Sequence, residues 1–570
     1  MKKITLVLAC IFMTVTYAQT PAFEWAKKIG GDGSEDIEAV AIDNAGNVYS
    51  TGFFTGTTDF DPGGGVVNLT SSLYGDMFIT KMDPSGNLIW VKQIAGNGTE
   101  IGFSIFIDNT GNILLTGGFN GVCDFDPGLG TYNLTTNNIT ASFVLKLNAA
   151  GDFQWAHKTG ETQGSYTNFV TADDAGNVFT SGTFTVPFDF DPSANNFILD
   201  PGTNPSAFIT KFDANGTFSW TKIFNIPIGA ALYSTPVAIT SLATDAQGNI
   251  VAAGEFDQTV DFNPGVEVEN FTTLGNRDCF ILKLDSVGNY IWAKQFGAIA
   301  INRCQTLAID ASGDIYSAGR FEFETDFDPG AGVFNLNPYN LQNSGALYLL
   351  KLNASGEFVW AKNFGNYNVS DEIELVLDAE KNVYVAGEFN GTYDFDPTAA
   401  SFSLTGVNDV FVAKYNTEGT FIWAVKFGGV GIDYVRSLVV DPNYNVYTVG
   451  YFYGTSDFDQ TDNVFEMSAV SSNLTDGYIQ KMSQQTLGIK SVVNNQKTIQ
   501  VYPNPSNGDF IIDVDAIYIG NMVSVFNEIG QKIKTVPLQS LQTKVHLNPG
   551  FYILQLENGS QPFAHKVIVK

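Results

Sequence analysis

The chain's tryptophans are Trp25, Trp90, Trp155, Trp220, Trp292, Trp360 and Trp423, with none outside this series. A second marker keeps step with them. An Asp-Phe-Asp string opens at Asp59, Asp124, Asp189, Asp261, Asp326, Asp394 and Asp457, at intervals of 65, 65, 72, 65, 68 and 63 residues, with Asn263 as the one swap of its second aspartate. Self-similarity at a near-fixed period dictates a repeat array, because one such unit cannot bury its apolar face alone and neighbours must stack on it.

Each period reads as four strands. In the first, "IEAVAID" leads through a turn into "NVYSTGFF"; after the acidic string come "MFITKMD", a second turn and "NLIWVKQI". Alternating β-branched and aromatic residues mark these segments as strands. The first turn is Asp43-Asn44-Ala45-Gly46-Asn47, matched at Asp108–Asn112, Asp173–Asn177 and Asp245–Asn249. The second is Asp83-Pro84-Ser85-Gly86-Asn87, matched at Asp285–Asn289. The aspartate side chain starts such a hairpin and glycine takes its left-handed position. Gly52 and Phe54 also return in every period, ending with Gly450 and Phe452, a small and a large residue expected to pack between neighbouring sheets.

Four antiparallel strands repeated seven times predict an all-β fold, a seven-bladed β-propeller of four-stranded blades. The seventh period has "GYIQKMS" as its third strand and no tryptophan strand after it; "AFEWAKKIGG" near the N-terminus is a tryptophan strand with no third strand before it. Pairing the two would close the ring with the N-terminal strand. The run "FITKMDPSGNLIWVKQIAG" followed by "FIDNTGNILLTGGF" resembles the SBBP repeats of bacterial β-propellers, over roughly residues 21–485. That resemblance implies a fold and no settled activity.

The ends read differently. Lys2 and Lys3, the apolar run from Ile4 to Val15 and the small-residue site at Thr16-Tyr17-Ala18 predict a secretory signal over residues 1–18. Beyond it, no stretch approaches the roughly 20 apolar residues that cross a bilayer as a helix. The propeller is expected over 19–485, a linker over 486–498, and a separate β-rich unit, a small β-sandwich, over 499–570. The motifs Tyr502-Pro503-Asn504-Pro505, Asn527 to Lys532, Gly550-Phe551-Tyr552 and the closing Lys566 to Lys570 resemble the type A C-terminal sorting domain of the type IX secretion system. The resemblance implies passage across the outer membrane of a Gram-negative bacterium, with the secretion machinery as partner. It also implies removal of the tail, often with attachment to surface lipopolysaccharide.

Acidic residues number 59 against 29 basic ones, a formal net charge of −30. Such a surface repels nucleic acid and anionic lipid, so neither is an expected partner. Cys123, Cys279 and Cys304 remain after signal removal, and an odd number in an exported chain is not a complete disulfide framework. Buried apolar thiols are the expectation, with a Cys279–Cys304 bridge as the alternative.

Hairpin geometry puts the two Asp-initiated turns of each period on one face and the acidic strings, with the links between periods, on the other. The second face thus gathers Asp59, Asp61, Asp124, Asp126, Asp189, Asp191, Asp261, Asp326, Asp328, Asp394, Asp396, Asp457 and Asp459. Calcium wants six to eight oxygens, and paired carboxylates are a candidate source. The Asp59/Asp61, Asp124/Asp126, Asp189/Asp191, Asp326/Asp328 and Asp394/Asp396 pairs are therefore candidate Ca²⁺ ligands. The competing reading is structural: the middle Phe points inward, the aspartates shape a turn, and a lysine on each third strand supplies a partner. Those lysines are Lys81, Lys146, Lys211, Lys283, Lys351, Lys414 and Lys481. Asp457 and Asp459 persist where the Pro and Gly of the string are lost, so the pair is more than an accessory of the proline turn.

No catalytic constellation is recognised. His157 stands where Lys92, Lys222, Lys294 and Lys362 stand in other periods, and reads as a substituted surface cation. No Gly-x-Ser-x-Gly, His-Glu-x-x-His or Cys-x-x-Cys motif occurs in the sequence. The link "NIPIGAALYSTPVAITS" at 225–241 breaks the repeat and is the expected place for a unique pocket. The expected function is a secreted or surface-displayed binding or scaffold module with a glycan, matrix or envelope-protein ligand. The alternatives are a secreted polysaccharide hydrolase or lyase, or a calcium-dependent adhesin. Unique carboxylates, Arg or His at the propeller axis would favour an enzyme; equivalent residues from every blade would favour binding.

Overall fold

The computed structural model describes residues 20–136, 139–162, 169–202, 204–224, 237–338, 345–365, 369–398, 400–471, 473–484, 500–514, 518–527, 531–557 and 564–570. The signal segment and the linker predicted above lie outside these residues. The chain divides into two compact units, Met1–Gln484 and Gln485–Lys570. No α-helix occurs among the described residues.

In the first unit each period folds into one antiparallel four-stranded sheet, its strands paired in chain order. Sheet 1 consists of Glu35–Ile42, Val48–Phe54, Asp76–Met82 and Leu88–Gly96. Sheets 2 to 6 repeat the plan. Sheet 7 holds Asp433–Val440, Val446–Phe452 and Asp476–Ser483, and takes its fourth strand, Ala22–Gly31, from the other end of the chain. That strand runs antiparallel to Asp476–Ser483, from Ala22↔Ser483 to Ile29↔Gly477, with a bulge near Trp25. The first strand of each sheet touches that of the next, and the first strand of sheet 7 touches that of sheet 1.

Burial explains the strand sequences. Second strands such as Ile113–Phe119 are buried along their whole length, and small or hydroxyl residues such as Thr116 and Gly117 sit among their apolar ones. Fourth strands such as Phe218–Phe224 are only partly covered, with Thr221 and Phe224 buried and Ser219 exposed. Between sheets 7 and 1, Phe54, Phe60 and Phe78 share one core with Tyr447, Val449 and Ile479. The middle Phe of every acidic string joins such a core: Phe60, Phe125, Phe190, Phe262, Phe327, Phe395 and Phe458 are at most 1% exposed. Each packs on a second-strand Phe and a third-strand Phe or Tyr, with ring centroids 4.6–5.8 Å apart. Burying one Phe side chain contributes about 1.5–3 kcal/mol.

The tryptophans mark the seams. A Cβ added at Gly151, Gly216, Gly288 or Gly356 would come within 3.3 Å of Trp90, Trp155, Trp220 or Trp292 of the preceding sheet. The seam from sheet 7 to sheet 1 uses the same contact, Trp25 beneath Gly86. Lysine stitches it too: Lys481 donates to Pro84 O at 3.1 Å, as Lys146 does to Ala214 O at 3.2 Å and Lys211 to Ser286 O at 2.8 Å.

Three consecutive seams also bury carboxylates against carboxylates. Burial first, and Asp76 second, push Glu100 up to about 8. Burial, with a smaller contribution from Asp476, pushes Glu35 to about 8 against the hydrogen bond from Thr58. Burial and Asp409 push Asp433 to about 6, opposed by Ser456, Gly429 and Lys426.

The second unit has two antiparallel sheets. One is Gln500–Tyr502, Asp509–Asp513 and Gln542–His546; the other orders Lys532–Pro537, Met522–Asn527, Gly550–Glu557 and Ala564–Val569. Phe510 and Ile512 of the first share one apolar core with Val523, Val525, Leu554 and Val567 of the second.

Candidate functional site

The acidic strings form a short hairpin in each period. In period 1, Thr57–Asp59 pairs with Asn68–Thr70 and also with the end of the preceding sheet's fourth strand, at Gly30↔Asp59 and Gly31↔Thr58. Asp59 Oδ1 accepts the backbone N–H of Asp61 at 3.1 Å and of Val67 at 2.8 Å; Asp61 Oδ1 accepts that of Gly63 at 2.8 Å. Asp124/Asp126, Asp189/Asp191, Asp326/Asp328 and Asp394/Asp396 repeat this pattern. Asp261 with Asn263 does so as well, the amide oxygen replacing the second carboxylate. Asp457 and Asp459 keep the same bonds, to Phe465 N and Thr461 N among them, without Pro or Gly. The aspartates, and not the proline, hold this turn. Among the described residues no group of three or more His, Cys, Asp or Glu side chains is arranged to hold a metal ion.

Other expectations need correction. The third-strand lysines do not serve the acidic strings. Lys283 pairs with Asp245 at 2.8 Å, Lys146 with Asp108 at 3.4 Å and Lys414 with Asp378 at 3.3 Å, all aspartates of the first hairpin turn. Strand register is the cause: Lys81 lies opposite Tyr49, beside the Asp43 turn and far along the strand from Asp76. The lysines also sit over second-strand rings, Lys81 4.8 Å from Tyr49 and Lys351 4.7 Å from Tyr316. His157 is no surface cation. It stacks on Trp155 and Phe212, bonds Gly216 O at 2.8 Å, and burial lowers its pKa. The thiols of Cys123, Cys279 and Cys304 are free and buried, so the Cys279–Cys304 bridge is not formed.

The recurring glycine has a different job from the one expected. Phe54 does pack between sheets, but Gly52 serves its own sheet: an added Cβ there would lie 2.0 Å from Asp36 O. Gly117, Gly254, Gly319 and Gly450 meet Ile101, Ala238, Arg303 and Tyr434 carbonyls at 1.9–2.0 Å in the same way. Each lies opposite a bulge in the first strand, where one residue is skipped in the register: Glu38, Phe103, Thr240, Gln305 and Arg436. A bulge re-aims its residue out of the sheet plane. Here it turns five different side chains toward one cavity.

That cavity is lined by the first strands of all seven sheets. At one end it opens into a chamber of about 510 Å³ lined by the five bulge residues together with Phe169, Ala238, Glu255, Arg303, Cys304, Glu372, Ile373 and Glu374. Arg436 is its hub. It pairs with Glu372, approaches Glu38 at 3.5 Å, donates to Tyr451 OH at 2.8 Å and lies over the Tyr434 and Tyr451 rings. Glu255 meets Arg277 at 2.5 Å. Burial raises the pKa of Glu38 despite Arg436, and of Glu255 despite Arg277 and Arg303. Burial and the neighbouring Glu388 push Glu374 to about 8. The lining is therefore mixed in charge, partly apolar, and varied from sheet to sheet. Of the link at 225–241, residues 225–236 lie outside the described residues, while Ala238 and Thr240 belong to the chamber.

These residues escaped a reading that looked for motifs. A signal was present nonetheless: five positions before the first-turn aspartate, otherwise similar periods carry Glu38, Phe103, Thr240, Gln305, Ile373 and Arg436.

Comparison with known proteins bears on both units. Residues 500–570 match the secretion system C-terminal sorting domain. An uncharacterized WD repeat-containing protein of Acanthamoeba polyphaga mimivirus is 24% identical over 540 residues, covering 81% of this chain and 38% of its own length. The regulatory protein FlaEY of Caulobacter vibrioides is 22% identical over 244 residues, covering 41% of this chain and 24% of its own length. The chain thus spans well under half of either relative. Among solved structures, Sqt1 from Chaetomium thermophilum aligns with 82% of this chain and all of its own at 9% identity and a TM-score of 0.33. PorZ, described as a surface component of the type IX secretion system of Porphyromonas gingivalis, aligns with 96% of this chain and 100% of its own at 10% identity and a TM-score of 0.17. Scores this low carry no argument.

Proposed function

We propose that the first unit is a closed seven-bladed β-propeller of SBBP-like repeats that binds its ligand at the chamber on its axis. The C-terminal sorting domain directs the chain through the type IX system to the cell surface or beyond. Closure is supported by the N-terminal strand completing sheet 7 and by the Trp25–Gly86 seam, which matches the other seams. One observation carries the binding reading. A recurring glycine, with a bulge opposite it in five sheets, serves a residue that changes from period to period, and those changing residues meet in one cavity. Repeat scaffolds with variable side chains gathered at one place suit recognition of a specific partner, here a glycan, matrix component or envelope protein.

A second reading has support of its own. The chamber is not lined by equivalent residues, and Glu374, pushed to about 8, has the protonation a general acid needs near neutral pH. A glycan-cleaving enzyme would use such a group. The acidic hairpins separately leave room for the calcium-dependent adhesin. A screen of the full-length protein against glycans and surface proteins, with and without Ca²⁺, and with reducing ends counted, separates the three. Retention without cleavage and without calcium dependence is expected. Released reducing ends lost in Glu374→Gln would establish the enzyme, and retention only with calcium would establish the adhesin.

A further inference from the structure

The chamber has an unbalanced polar lining. Glu38, Glu255, Glu372 and Glu374 face two arginines, Arg303 and Arg436. Arg436 is engaged by Glu372 and Glu38, and both Arg303 and Arg277 act on Glu255. Glu374 forms no ion pair among the described residues, and the charge that acts on it is that of Glu388, of its own sign. A sheltered carboxylate of this kind gains from a ligand that brings its own positive charge.

A second observation comes from sheet 5. Both terminal atoms of Gln305, Oε1 and Nε2, are sheltered and make no hydrogen bond among the described residues. One is an acceptor and the other a donor, the pair that a hydroxyl or a vicinal diol satisfies. Phe103 and Phe169 add apolar faces to the same lining. At about 510 Å³ the chamber falls in the range of small-molecule sites.

Resting on the binding reading above, we propose that the chamber takes an amino sugar, a hexosamine bearing a free ammonium group and presented on a glycan. Its ammonium group meets Glu374, the Gln305 amide turns out of its sheltered place to meet a ring hydroxyl, and the apolar face of the ring lies on Phe103 or Phe169. A lysine side chain would satisfy Glu374 and leave Gln305 unmet. An N-acetylated sugar would do the reverse.

Full-length protein is titrated calorimetrically with a glucosamine trisaccharide in fully deacetylated and fully acetylated forms, and with a trilysine peptide. The deacetylated sugar is expected to bind, with the acetylated form and trilysine each weaker by at least about tenfold. Glu374→Gln should erase the preference for the free amine without lowering the melting temperature, and Gln305→Ala should weaken both sugars alike. Equal affinity for the two sugars, or tighter binding of trilysine, overturns the amino sugar and leaves a chamber that binds something else. Silence with all three probes, from protein that retains a glycan or surface protein in the screen above, overturns it as well. Silence in both experiments removes the binding reading itself.

Discussion

The two ends of each sheet obey opposite rules. At the fourth-strand edge, the acidic hairpin is the same device in every period: two aspartates, or Asp261 with Asn263, hold the turn through backbone N–H groups, and a buried Phe anchors it. At the first-strand edge the glycine repeats and five sheets share the bulge opposite it, but the side chain at the bulge does not repeat. Repetition of a side chain signals a structural duty that every seam must perform. Repetition of backbone beneath a changing side chain signals a platform. The most conspicuous motif therefore belongs to the fold, and the inconspicuous variable position belongs to the candidate site.

Substitutions can test that division, beginning with the largest effect. Phe327→Ala removes a fully buried ring that touches Phe321 and Tyr348, and should cost about 3–5 kcal/mol in urea denaturation. A loss under 1 kcal/mol would mean that the hairpin anchors nothing. Asp326→Ala deletes two backbone hydrogen bonds to a carboxylate and should cost about 2–3 kcal/mol; Asp328→Ala, with one such bond, should cost about half of that. The ordering should hold in EDTA, with wild-type melting unchanged by the chelator. A drop in EDTA would give the aspartates a metal.

The carboxylates buried at the seams predict a pH dependence. The folded-state pKa values of Glu35 and Glu100 stand above the ordinary carboxylate value, at about 8. Their contribution is therefore complete below about pH 4.5 and declines as pH rises through 8. Melting temperature should fall across that window, and Glu100→Gln should flatten the fall. An unchanged slope in the variant would assign the effect elsewhere. Smaller still, Tyr444 takes the left-handed turn position, φ +64°, that glycine fills in most periods. Tyr444→Gly should stabilise by up to about 1 kcal/mol. Smallest of all, Gln305→Ala should change stability by no more than about 0.5 kcal/mol, since its amide makes no hydrogen bond among the described residues.

Much of the architecture was legible because local chemistry and global fold agree. Trp90, Phe60 and the Asp43 turn recur since each seam needs the same ring, anchor and hairpin. The order of strands and the partner of the N-terminal strand followed from counting. What counting missed depends on register. Lys81 faces the Asp43 turn because of its cross-strand partner, which sequence spacing alone does not give. His157 looked exposed because its counterparts are lysines, yet the next sheet's hairpin covers it. The chamber stayed hidden for another reason. Its residues come from different periods and form no motif along the chain, and the bulges opposite the glycines bring Glu38, Gln305 and Arg436 together.

The most direct test compares retention of a captured glycan or surface protein by Asp326→Ala and by Gln305→Trp, measured side by side at a temperature where both remain folded. The hairpin variant should melt lower and still bind, with or without Ca²⁺. The chamber variant, whose indole fills the cavity, should melt like the parent and lose its ligand. Binding lost with Asp326 and kept with Trp at position 305 would contradict the account and move the site to the acidic hairpins.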